Sequence, residues 1–130
     1  MLVCYCDGGC NNKTRSNAYG SFVVRTPSDD GMTELHRQRI EFDNCSTSNE
    51  AEYEILICLL EFLLEKQYNT YHIEIHSDSK LMVNQVNGGW RLEAENLKER
   101  RLMAVDLMRV LGNVKLTWVS RKVIVPILGH

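Results

Sequence analysis

The apolar residues of this chain change period at one point. Before Ser48 they alternate within short runs rich in β-branched and aromatic residues. Over 48–67 they recur at helical spacing, with Ala51, Ile55, Cys58, Leu59 and Phe62 along one side and Ile57, Leu60 and Leu64 along another. A helix apolar on two sides is packed on two sides. The runs ahead of it read as strands over 2–6, 19–26 and 32–42, the first ending at Asp7-Gly8-Gly9 in a turn that needs permissive backbone. Pro27-Ser28-Asp29-Asp30-Gly31 is strong turn chemistry, so the three strands form an antiparallel meander.

After the helix, 71–76 reads as a strand. Asp78-Ser79 opens a second helix that Asn87-Gly88-Gly89 stops, and a longer helix spans 93–111 until Gly112-Asn113. A last strand covers 114–119. The order βββαβααβ plus a tail returns the later strands after helices, so they pair in parallel through right-handed crossovers. The expected fold is α/β: a mixed five-stranded sheet, three strands antiparallel and then two parallel, with helices on both faces. At 130 residues, 1–130 reads as a single domain.

Composition narrows the function classes. No apolar run is long enough to cross a membrane. The first residues lack the basic flank and apolar core of a secretion signal, so a cytoplasmic protein is expected. Five cysteines without disulfide spacing fit a reducing compartment. Cys4 and Cys6 share one face of a strand and read as buried hydrophobes rather than, with Cys10, a zinc knuckle, which would need further ligands. A net charge of −2 means that any polyanion must be met by a local patch.

Three acids stand where chemistry collects in such a sheet. Asp7 and Asp78 each follow a strand, at the carboxyl edge where ligands bind α/β sheets, and Glu50 lies in the first turn of the long helix. Each has an ordinary structural explanation: a turn aspartate, a capping-box glutamate in Thr47-Ser48-Asn49-Glu50, and an N-cap aspartate. Brought together, three carboxylates repel unless protons or cations neutralise them, and hard divalent ions prefer such oxygens.

Cys6-Asp7-Gly8-Gly9-Cys10, then Thr47-Ser48-Asn49-Glu50-Ala51-Glu52-Tyr53, then His76-Ser77-Asp78-Ser79-Lys80-Leu81 through Asn84-Gln85-Val86-Asn87-Gly88, resemble the successive signatures of type 1 ribonuclease H domains. The likeness runs nearly end to end. It implies a ribonuclease H-like fold and a metal-dependent endonuclease that hydrolyses the RNA strand of RNA–DNA hybrids, leaving 5′-phosphate and 3′-hydroxyl ends. It implies two divalent ions, Mg²⁺ or Mn²⁺, one activating the attacking water and one steadying the leaving oxygen. Asp7 would bridge both, Asp78 would hold the nucleophile-side ion, and Glu50 the other. No small-molecule cofactor is expected. Gly8, Thr47 and Asn49, with Lys13 and Arg15 in the loop after Asp7, are candidates for substrate contact; helix capping competes for Thr47 and Asn49, and unassigned surface charge for the two basic residues. Arg91, Lys98, Arg100 and Arg101 are candidates for a basic patch, against which stand the interspersed Glu93, Glu95 and Glu99.

Two departures from the family matter. Val119-Ser120-Arg121 matches the opening of the C-terminal segment that normally carries a fourth acid, yet 122–130 contains no Asp or Glu. His130 is the candidate replacement, a frayed end the competing explanation. The expectation is that one ion is held weakly and that Mn²⁺ serves better than Mg²⁺, because imidazole suits the softer ion. The short stretch 88–93 also leaves no room for the family's basic helical handle, so hybrid binding should be weak and strongly salt-dependent. The alternative function is a non-catalytic or weakly active nucleic-acid-binding module of the same fold.

Overall fold

Five strands form: β1 (Leu2–Cys10), β2 (Ala18–Ser28), β3 (Gly31–Phe42), β4 (Ile73–Ser77) and β5 (Val114–Trp118). The computed structural model describes residues 1–10, 18–92 and 94–130, and its strands make one sheet in the order β3-β2-β1-β4-β5. β1 pairs antiparallel with β2, and β2 with β3; β4 joins β1 in parallel, and β5 joins β4 in parallel. This is the mixed sheet that the order of elements implies.

β1 is longer than its sequence suggests. Its parallel register with β4 ends at Cys6 opposite Ser77. Its antiparallel register with β2 continues through Asp7, Gly8 and Gly9 to Cys10 opposite Ala18. The two glycines therefore lie in the strand, not in a turn, because β2 still offers them partners. Asp7 stands where β4 has just left the sheet, which opens a space between the chain after β4 and the continuing β1.

Helix α1 (Ser48–Glu65) lies over β1 and β2 and packs its other side against α3 (Glu95–Leu111). Its Tyr53, Ile55, Leu56, Leu59, Leu60 and Leu63 are all fully buried, and each such aliphatic side chain is worth about 1.5–3 kcal/mol on leaving water. The two apolar sides of the helix thus have a sheet and a helix to cover them. Cys4 and Cys6 face α1 within this core, and burial pushes the Cys4 thiol up to about 12. α2 (Lys80–Val86) sits on the same side, near β5 and α3.

The tail is a helix. α4 (Arg121–Leu128) packs on the opposite face of the sheet, over β1 and β2, where Ile124 and Leu128 bury Val23. Pro126 inside it argues against a helix in the sequence, since proline brings no N–H. The burial of Ile124 and Leu128 outweighs that loss. Gly129, in the left-handed region at φ 85°, ends the helix and turns His130 back toward β1.

Candidate active site

Asp7, Glu52 and Asp78 converge. One carboxylate oxygen from each lies within 4.8 Å of the other two. Asp7 is buried on β1, Glu52 is buried in the second turn of α1, and Asp78 follows β4. The Gly8 amide donates to Glu52 Oε1 at 3.2 Å, while Glu52 Oε2 is buried with no hydrogen-bond partner among the described residues. Burial, and then the neighbouring negative charge of Asp7, push the Glu52 carboxyl well above the usual carboxylate range. The same two causes raise Asp78 to about 6, against the opposing pull of Arg121, whose Nη1 lies 3.2 Å from Asp78 Oδ2. An uncompensated buried oxygen amid three acids fits a hard divalent cation, which accepts carboxylate oxygens and relieves the repulsion.

The third acid is therefore Glu52, not Glu50. Glu50 Oε1 accepts from the Ser46 amide, the Ser46 hydroxyl and the Thr47 hydroxyl at 3.0, 2.9 and 3.1 Å, and Arg100 Nη1 donates to its Oε2 at 3.1 Å. Burial works to raise its pKa, yet these hydrogen bonds and the Arg100 charge hold it below the usual value. The physical reason is helical geometry: two residues on, the side chain points about 200° around the axis. With Thr47 capping the helix, Glu50 turns back to the cap and Glu52 turns toward β1. The Thr47-x-x-Glu50 box was itself the signal that Glu50 was occupied.

His130 reaches the cluster from the other face of the sheet. Its Nδ1 lies 2.8 Å from Asp7 Oδ2 and its Nε2 lies 2.7 Å from Ser21 Oγ. A carboxylate only accepts, so in the neutral ring Nδ1 donates to Asp7 and Nε2 accepts from the Ser21 hydroxyl. Burial favours that neutral ring, and the charges of Arg39 and Arg121 reinforce it. Ser21 sits directly opposite Asp7 in the β1–β2 register. Nothing in the alternating pattern of β2 marks it, because only the register and the folded tail give it a partner.

The substrate-contact candidates stand in different surroundings. Thr47 Oγ1 accepts from the Glu50 amide and donates to its side chain, so its hydroxyl serves the cap. Asn49 stands exposed in the first turn of α1. Gly8 commits its amide to Glu52. Lys13 and Arg15 lie outside the described residues. The α3 cations are largely paired: Arg100 with Glu50 and Glu54, Lys98 with Glu95, while Arg101 donates to the Gln85 carbonyl.

A family model described as reverse transcriptase-like matches residues 5–126. Over 76 residues the chain is 32% identical to ribonuclease HI of Halobacterium salinarum; the match covers 58% of this chain and 37% of that protein, little more than a third of its length. The crystal structure of RNase H1 from the same archaeon resembles this one with a TM-score of 0.79 at 26% identity, covering 94% of this chain and 87% of that one. The N-terminal RNase H domain of a Mycobacterium tuberculosis protein gives 0.81 at 26% identity, covering 96% and 86%. LC11-RNase H1, solved in complex with an RNA/DNA hybrid, shares the fold with a TM-score of 0.82 at 24% identity, covering 97% and 90%.

Proposed function

Because the chain belongs to the reverse transcriptase-like family, as a ribonuclease HI-like member, we propose that it is a divalent-metal-dependent endonuclease that hydrolyses the RNA strand of RNA–DNA hybrids, leaving 5′-phosphate and 3′-hydroxyl ends. The observation that carries this reading is the meeting of Asp7, Glu52 and Asp78, with one oxygen of Glu52 buried and unpartnered among the described residues. These three residues would hold the metal, Mg²⁺ or Mn²⁺. When bound, divalent ions supply a lowered pKa for the attacking water and charge neutralisation at the leaving oxygen.

The chain's own residues do the rest. Asp7 is held rigidly between the strand ladder and His130 Nδ1. The Gly8 amide fixes one Glu52 oxygen and so aims the other into the cluster. His130, kept neutral by its surroundings, donates from Nδ1 to Asp7 while the Ser21 hydroxyl donates to its Nε2, so the pair fixes the orientation of the Asp7 carboxylate. The 2′-hydroxyl of the RNA strand is the group by which the site would choose RNA over DNA.

A labelled RNA–DNA hybrid incubated with Mg²⁺ or Mn²⁺ tests the reading. Cleavage confined to the RNA strand, abolished by Asp7→Asn, is expected. Intact hybrid in both ions, with the hybrid nevertheless bound, would establish the second reading of a non-catalytic binding module. The observation favouring that second reading is that, among the described residues, the α4 segment contributes no fourth carboxylate and Arg121 instead faces Asp78.

A further inference from the structure

The β-sheet register carries a row of residues away from the cluster. Asp7 on β1 lies opposite Ser21 on β2, and Ser21 lies opposite Arg39 on β3. Residues directly opposite one another share a face, so all three stand on the side that α4 covers, two strand spacings or about 10 Å apart end to end. Between them and the end of α4 opens a cavity of about 220 Å³, lined by Ser21, Arg37, Arg39, Gly129 and His130.

The two arginines of this cavity are in different states. Arg37 donates twice to Glu34 and once to the Ile127 carbonyl, so it braces the end of α4. Arg39, among the described residues, makes no hydrogen bond and no ion pair. Its guanidinium carbon instead sits 4.5 Å over the ring of Tyr19. Tyr19 in turn meets the His130 ring edge-on at 5.0 Å. A Cβ at Gly9 would come within 2.9 Å of the Tyr19 hydroxyl, so the absence of a side chain there lets the phenol lie across β1. Arg39 is thus supported from below while the five donors of its planar fork stay uncommitted, the geometry that suits a phosphate.

Resting on the hybrid-cleaving reading above, we propose that Arg39 and this cavity bind a phosphate of the cleaved strand adjacent to the one at the carboxylate cluster. The long arginine side chain closes the distance that the two strand spacings leave. The subsite supplies positive charge at the one place where a nearly neutral protein needs it, beside three acids that would otherwise repel the substrate backbone. A charge that merely guards an edge strand from pairing needs neither a ring beneath it nor a cavity beside it.

Two measurements on the full chain test this. In EDTA, where no cutting occurs, anisotropy of a labelled hybrid is followed across salt concentrations for wild type, Arg39→Gln and Arg39→Lys. Arg39→Gln should weaken binding several-fold and lower the slope of log affinity against log salt by about 0.7–0.9, one phosphate contact, with Arg39→Lys keeping most of the slope. Separately, inorganic phosphate should shift the arginine Nε–Hε NMR signal that disappears in Arg39→Gln. An unchanged slope together with an unmoved signal overturns the subsite, as does an Arg39→Gln chain that self-associates with the slope intact. If wild type binds no hybrid, the parent reading fails, and the phosphate titration still decides the subsite by itself: a moved signal upholds it and an unmoved one overturns it.

Discussion

Gly8 and Glu52 are in contact through both backbone and side chain. The Gly8 amide donates to Glu52 Oε1 at 3.2 Å, and a Cβ on Gly8 would stand 2.6 Å from the carbonyl carbon and oxygen of Ala51. β1 and the start of α1 therefore approach too closely for any side chain at Gly8, and that approach brings a helix carboxylate to a strand carboxylate.

Gly8→Ala should break this arrangement. The added carbon meets backbone, which cannot rotate away, so the first turns of α1 must shift. A loss of about 1–3 kcal/mol in denaturant unfolding is expected from such overpacking, together with weaker divalent-ion binding by calorimetry. A Gly8→Ala chain that binds Mn²⁺ with wild-type affinity would show that the contact does not position Glu52.

The two glutamates of α1 should separate cleanly. Glu52→Gln replaces a carboxyl whose ionisation burial and the Asp7 charge oppose, so near neutral pH the metal-free chain should become more stable while hybrid cleavage and ion binding collapse. Glu50→Gln should do the reverse. It puts an amide against Arg100 and weakens a cap network of four hydrogen bonds, which should cost about 1–3 kcal/mol, with cleavage retained. Loss of cleavage in both variants, or in Glu50→Gln alone, would restore Glu50 to the site.

What the sequence could and could not disclose follows from which interactions are local. Strand and helix order, the two-sided burial of α1 and the adjacency of Asp7 and Asp78 all follow from period and connectivity. The choice between Glu50 and Glu52 depends on the helix phase, which the Thr47 cap sets by drawing Glu50 back onto itself. The β1 glycines looked like a turn because their pairing partners on β2 lie beyond a loop. Ser21 and Arg39 become visible only through register across three strands. The α4 helix leaves no mark in the local pattern, since its formation depends on burying Ile124 and Leu128 against Val23.

His130 should matter through Asp7. Partners that hydrogen-bond a metal-holding carboxylate typically govern affinity or activity by about 10–100-fold, so His130→Ala should lower cleavage on that scale. Because both ring nitrogens are committed, Nδ1 to Asp7 and Nε2 to Ser21, the loss should be of similar size in Mg²⁺ and in Mn²⁺, and the preference for Mn²⁺ expected from a ligating imidazole does not follow from this geometry. Initial rates in each ion decide it. A loss confined to one of the two ions would mean that the imidazole itself binds the metal rather than holding Asp7.

The acidic cluster also sets the pH response of the metal-free protein. Asp78 is raised to about 6 and Glu52 is raised well above its ordinary value, both first by burial and then by the Asp7 charge. In the unfolded chain these groups release their protons near pH 4. Between there and neutrality the folded state holds more protons than the unfolded one, so their contribution is complete below pH 4 and is lost as pH rises through about 6 and beyond. Glu50 and Glu34, whose pKa values are lowered, act in the opposite sense and only below about pH 4.5. Ion binding requires the carboxylates ionised and so releases protons, which makes its stabilisation grow over the range in which the metal-free fold weakens. Thermal unfolding at pH 5, 6, 7 and 8, in EDTA and in Mn²⁺, should show a Tm gap that widens with pH in wild type and nearly vanishes in Glu52→Gln. A gap of constant size across that range would mean that the three carboxylates do not share an ion.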